Sequence, residues 1–355
     1  MSKALKIKNK EEKRFNESGR IEYLDIARGI AIILMIVGHI VDFSWKRDLI
    51  FSFHMPLFVI ISGMFYKEKN FKDFLANTIK KLILPYVIVI LITDSIRAFS
   101  IDNKIDIVLL LKNYIKQLLY SYSYLKVKTN VEPIGVLWFF PFLAIIRIIF
   151  YALKKICKED DILLGVGCLL ISYVGYILGI KEKWMLFSAD VALSCIILYY
   201  IGYIFNKKNI LNSILHNKKL LLIVLLIWIL GIKFGSIELA VRKYPGGLYS
   251  FVTAICGTIM VLKVSMIIEH NTKLLTKVLS WFGKNSMYIL LIHHMEFSLI
   301  YYDRLFNGIL NRKRLYKLVV VLTKIGIGTI GTLIIINIKK SCTQIKKYIK
   351  NRCTT

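Results

Sequence analysis

Ten stretches of roughly 18 to 22 mostly apolar residues follow one another along the chain, each the length of a helix that crosses a bilayer. They fall at about 23–43, 49–66, 82–99, 134–153, 162–180, 185–205, 218–235, 247–268, 279–299 and 315–338. The expected fold is therefore all-α, a polytopic transmembrane helix bundle of about ten spanning helices. An even number of spans puts both termini on one side. Both ends are basic, through Lys3, Lys6, Lys8, Lys10, Lys13, Arg14 and Arg20 at the start and Lys339, Lys340, Lys346, Lys347, Lys350 and Arg352 at the end. The positive-inside rule then predicts that both termini are cytoplasmic. The first span reads as a retained signal anchor, because the segment before it is too charged for a cleaved leader and no small-residue cleavage site follows. The expected organisation is a basic tail over 1–22, one membrane domain over 23–338 and a second basic tail over 339–355, in the plasma or inner membrane.

Composition agrees, since 56% hydrophobic residues and a mean hydropathy of +0.60 over 355 residues are too apolar for a soluble protein of two or three domains. A formal charge of +28 would point to nucleic acid in a soluble chain. Here the basic residues cluster between apolar stretches, where topology and anionic lipid account for them, so no nucleic-acid partner is expected. Of the six cysteines, Cys168, Cys195 and Cys256 lie inside spans, Cys157 at an inner helix end, and Cys342 and Cys353 in the tail. None is placed for a disulfide in an outside loop, and no pair has metal-site spacing. The long loop over 100–132 carries an amphipathic pattern with Val108, Leu111, Ile115, Leu118, Leu119 and Tyr122 on one face and Lys112, Lys116 and Gln117 on the other. Such a helix is expected on the outer membrane surface. Its tyrosines Tyr114, Tyr120, Tyr122 and Tyr124 read either as an ordinary interfacial belt or as an aromatic floor for a sugar-like acceptor.

Ionisable residues inside a membrane are rare and usually functional, so their depth is the most informative pattern. In the first stretch, Arg28 and His39 are eleven residues apart, which returns them to within about 20° of one helix face, roughly 16 Å apart along the axis. Asp25 lies one turn before Arg28 and can pair with it. His39 falls late in the first span, His54 early in the second, and His293 and His294 late in the ninth, so three helices bring imidazoles to one outer depth. Asp94, Asp190 and Glu296 share that half, with Glu296 one turn from His293, where it can orient the ring. The inner half holds Arg28, Arg147, Lys263 and Lys284, with Lys80 and Lys81 at its mouth. A basic inner vestibule below a histidine and acid chamber suits an anionic donor from the cytoplasm and a neutral polar acceptor outside. Coenzyme A thioesters are such donors, although positive-inside bias enriches the same residues.

Several segments resemble the membrane acyltransferase family 3, in particular its sugar O-acetylase branch. They are residues 23–29 (YLDIARG) with His39 after ten further residues, 52–58 (SFHMPLF) with Ser62 and Gly63, 137–141 (LWFFP), and 282–286 (FGKNS) followed by 289–294 (ILLIHH). The resemblance covers about residues 20 to 340. It implies an integral membrane enzyme that moves an acetyl or similar short acyl group from cytoplasmic acyl-CoA, acetyl-CoA in the first instance, to a hydroxyl of a cell-envelope or exported carbohydrate or glycolipid. No metal is expected. The family's first-helix arginine and histidine fall on Arg28 and His39. His39 is the expected general base, with a two-step route through an acyl-enzyme intermediate left open; Arg28 and Asp25 complete the catalytic set, and His54, Trp138, His293, His294 and Glu296 belong to the acceptor side. Arg28, Lys80, Lys81, Lys284, Asn285 and Ser286 are the expected donor contacts. One departure concerns two arginines that many members carry three residues apart before the proline of the third helix. The corresponding places before Pro85 hold Thr78 and Lys81, and lysine lacks the bidentate fork of arginine.

Two other readings of these residues stay open. A glycan transporter or flippase would use the histidines as a proton relay, and a metal enzyme would use His39, His54 and His293 as ligands with Glu296 behind them.

Overall fold

Every apolar stretch is helical in the computed structural model, which describes residues 21–42, 44–101, 107–123 and 131–352. The basic N-terminal segment through Arg20, Tyr124 and Cys353 lie outside the described residues. Helix α1 spans Glu22–Gly38, and α2 (Trp45–Phe51) and α3 (His54–Met64) follow as one span interrupted at Ser52 and Phe53. Helix α4 (Phe71–Thr78) passes through a π-helical turn at Ile79–Ile83 into α5 (Leu84–Ile101), and α6 covers Ile107–Tyr120. A tight turn at Gly135–Trp138 opens α7 (Phe139–Ile156). Next come α8 (Asp161–Ile180), α9 (Ala189–Lys207), α10 (Ile210–His216), α11 (Lys218–Ile232) and α12 (Tyr249–Asn271). The chain closes with α13 (Lys273–Lys284), α14 (Ser286–Leu299), α15 (Tyr302–Leu305) and α16 (Lys313–Arg352).

Among the described residues seven helices are long and apolar enough to cross a membrane, or eight if α10 and α11, bent by 93°, form one span. The remaining two of the ten expected spans differ from their apolar stretches for local reasons. Helix α1 has only 17 residues, because the chain turns at His39 and Ile40 and the apolar run continues outside the helix. The ninth stretch is divided at Asn285, whose side-chain Nδ2 donates to the Trp281 carbonyl at 2.8 Å. A side chain that bonds its own backbone offers the chain an alternative to the next helical turn.

Close crossings at glycine hold the core together, as expected where lipid and side chains are equally apolar and packing decides association. A Cβ at Gly29 would lie 2.0 Å from the Leu279 carbonyl oxygen, and one at Gly283 would lie 1.7 Å from that of Asp25, so α1 and α13 meet backbone to backbone. Helices α3 and α9 cross in the same way, with Gly63 against Tyr199 and Gly202 against Ile60. These two contacts fix α1, which His39 directly follows, and α3, which carries His54.

The amphipathic loop helix is present as α6, with its faces assigned differently from the sequence pattern. Gln117 is buried rather than on the polar side, together with Tyr114, while Val108, Leu111, Ile115 and Leu119 are exposed. The reason is tertiary: the Tyr114 hydroxyl meets Ser95 Oγ at 2.7 Å and donates to the Leu91 carbonyl at 3.0 Å, which ties α6 to α5 by its polar groups.

Candidate active site

At the His39 end of the bundle a cavity of about 1540 Å³ opens, and His39, His54, Trp138, His293 and His294 all stand in its wall. His39 follows the last residue of α1, and its backbone N–H still bonds the Met35 carbonyl at 3.3 Å, so the ring projects from a closed helix end. His54 opens α3, and its Nδ1 lies 3.0 Å from the Ile50 carbonyl oxygen. A carbonyl only accepts, so Nδ1 carries the proton and Nε2 is left as an acceptor. Phe51 stands between the two, edge-on to His39 at 6.3 Å and to His54 at 4.7 Å between ring centroids. His293 comes from α14, and its ring centroid is 5.6 Å from that of His39.

Behind His293 lies a buried charge cluster. Glu296 accepts from Lys324 Nζ of α16 at 2.8 and 3.0 Å and from the Tyr302 hydroxyl. His293 Nδ1 stands 2.6 Å from Glu296 Oε1, a close polar contact without hydrogen-bond alignment. Glu296 and Lys324 are 3% and 5% exposed, so each charge depends on the other in a medium that does not hydrate them.

Further charges around the rim are paired across distant segments. Arg47 pairs with Glu238 and covers the Phe51 ring at 4.0 Å, and Arg97 pairs with Glu132 at 3.0 Å. Arg242 forms a bidentate pair with Asp190, Nε to Oδ2 at 2.8 Å and a terminal nitrogen to Oδ1 at 3.1 Å, and stacks on Trp184 at 3.8 Å. Both partners are shut off from solvent. Arg242, Ser188, Phe187, Glu182 and Ser121 all have positive φ, a conformation that costs an L-residue roughly 1–2 kcal/mol. These strained positions adjoin the cavity wall at Tyr122, Trp184 and Arg242, which the buried ion pair holds in place.

The cavity thus gathers five of the acceptor-side and catalytic residues named from the sequence, with Glu296 one layer behind. Arg28 and Asp25 lie elsewhere, toward the other end of α1, paired at 3.2 Å with the Arg28 guanidinium 4.9 Å from the centre of the Phe65 ring. The crossing at Gly283 brings the segment 284–286 beside that turn of α1, although Lys284 is exposed and Asn285 bonds its own helix. Ser286 is buried at the start of α14. Lys80 lines a separate surface pocket of about 530 Å³ with Lys69, Asn70, Asp73 and Asn77, and Lys81 beside it is exposed. Lys263 caps a helix end by donating to the Leu215 carbonyl at 2.8 Å. Tyr122 lines the cavity, with Tyr120 against it at 5.4 Å, whereas Tyr114 packs on α5.

Sequence reasoning passed over Arg47, Arg97, Trp184, Arg242 and Lys324. For Lys324 and Arg97 a signal existed, a basic residue inside the last and the third apolar stretch. Arg47, Trp184 and Arg242 lie at a helix start or in loops, where only the fold reveals that they face one cavity. Among the described residues no three His, Cys, Asp or Glu side chains form an arrangement that could hold a metal ion.

A family model described as an acyltransferase domain matches residues 21–338, nearly the whole chain. No curated protein and no solved structure matches significantly.

Proposed function

Because the chain belongs to the acyltransferase domain family, we propose that this membrane protein moves an acetyl or similar short acyl group from cytoplasmic acyl-CoA to a carbohydrate hydroxyl held in the histidine-lined cavity. The observation that carries the reading is the meeting of His39, His54 and His293 in one cavity wall with Trp138 and Trp184. Aromatic faces suit the apolar faces of sugar rings, and imidazoles suit proton transfer from a hydroxyl near neutral pH.

In this mechanism His39 takes the proton of the acceptor hydroxyl as its oxygen attacks the thioester carbonyl. The carbon–sulfur bond then breaks and coenzyme A leaves as the thiolate. The donor's phosphate end sits toward Arg28, about 16 Å from His39 along the helix, a span comparable to an extended pantetheine arm. Arg28 offers a planar fork suited to phosphate, and its pair with Asp25 fixes the direction of that fork. Trp184, Tyr122 and the paired rim charges form the acceptor's surroundings.

The test uses the purified protein in lipid vesicles with acyl-labelled acetyl-CoA and a panel of envelope-type glycans. Covalent label on a glycan supports the reading. A glycan moved across the vesicle without label would support transport instead and remove the proposed chemistry.

A further inference from the structure

Helix α16 is mostly apolar and lightly buried, yet it carries Lys324 into the interior. A lysine at membrane depth is costly unless it has a partner and a task. Its partner is Glu296, whose two carboxylate oxygens it meets at 2.8 and 3.0 Å. Tyr302 of α15 donates to the same carboxylate. The only group of this cluster that also faces the cavity is His293. His293 Nδ1 stands 2.6 Å from Glu296 Oε1, and the ring centroid lies 5.6 Å from that of His39 with the two planes tilted by 35°.

We propose that Lys324 and Glu296 are positioning residues for His293, holding its ring in place beside that of His39. This rests on reading the cavity as the acyl-transfer site. The ammonium and the carboxylate together are neutral, so they turn the ring without forcing it to be charged. An imidazolium this close to His39 would oppose a second positive charge there. Other charged or titratable groups facing this region are Arg47 of α2, His54 of α3, Arg97 of α5, and His294 on the same helix as His293. Arg47 and Arg97 have their own acids in Glu238 and Glu132, which leaves the balance at His293 to Lys324 and Glu296.

The consequence is a pair of shifts with opposite signs. Lys324→Met leaves Glu296 uncompensated and favours the protonated ring, whereas Glu296→Gln leaves Lys324 uncompensated and disfavours it. Nitrogen-15 histidine NMR in lipid nanodiscs, with the His293 signal identified by its loss in His293→Gln, reads the titration midpoint directly. The midpoint should rise by about one pH unit or more in Lys324→Met, fall by about as much in Glu296→Gln, and return toward the original in the double variant. The acid limb of the acyl-transfer rate should move in the same directions. Midpoints that shift together, or not at all, would overturn the proposal, since a merely structural pair predicts loss of stability in both variants without opposite shifts. If Lys324→Met does not accumulate in membranes, Glu296→Gln decides alone: a lowered midpoint supports the proposal and an unchanged or raised one sinks it. Absence of any acyl transfer by the unmodified protein would remove the reading of the cavity, and the NMR midpoints would still decide the role of Lys324 and Glu296.

Discussion

His39 stands just past the end of α1, where a side chain leaves the helix and enters the cavity without competing for helical packing. Replacing it with Ala should therefore reduce acyl transfer by about 10²–10⁴-fold while leaving membrane insertion and thermal unfolding unchanged, as measured by label transfer and melting in detergent. Activity near the original level would remove His39 from the mechanism. Arg28→Lys keeps the charge and loses the fork that meets Asp25, so half-saturation by acyl-CoA should rise about tenfold with the maximal rate largely kept. An unchanged donor dependence would place the coenzyme's phosphates elsewhere. Arg242 is a different kind of residue, a cavity-wall charge held by the buried Asp190. Its change to Ala strands the fully buried Asp190 and should cost about 3–5 kcal/mol of stability, whereas Arg242→Met with Asp190→Leu should recover much of that loss. Equal melting temperatures for the single and double variants would contradict this account of the rim.

At the scale of elements, the crossing of α1 with α13 positions both ends of the proposed reaction. A methyl group at Gly283 meets the Asp25 carbonyl rather than a flexible side chain, so Gly283→Ala must push the helices apart. The expected cost is about 1–3 kcal/mol, with a rise in donor half-saturation because Arg28 moves with its helix; unchanged melting and kinetics would show that the contact is slack. Such crossings explain how much the sequence disclosed. Each apolar stretch reads directly as a helix because hydrocarbon demands internally bonded backbone, and the histidines at three matching depths converge in one cavity wall. The end of α1 at Gly38 and the break at Asn285 depend on single side-chain and turn geometries that a hydropathy pattern smooths over. Arg242 and Trp184 escaped notice because their partners are fixed by loops packing across the bundle. The sequence pattern turns Gln117 toward water for the same reason, since only the contact with α5 shows which side of α6 turns inward.

For the whole molecule, the long apolar helices carry broad exposed faces, such as Leu169, Leu170, Tyr173 and Val174 on α8, which lipid can cover. Inside that shell the His39 cavity lies toward one end and the Arg28–Asp25 pair toward the other, so the account requires donor and acceptor to arrive from opposite sides. A coenzyme bearing several phosphates cannot enter hydrocarbon, while its narrow pantetheine arm can thread a protein-lined path. The most direct measurement is acyl transfer in sealed vesicles of known orientation, with labelled acyl-CoA on one side and glycan on the other. Label should reach the glycan only when acyl-CoA is on the side nearer Arg28 and glycan on the side of the His39 cavity, and His39→Ala should abolish it. Equal transfer from either side in vesicles shown not to leak, or undiminished transfer by His39→Ala, would contradict the account.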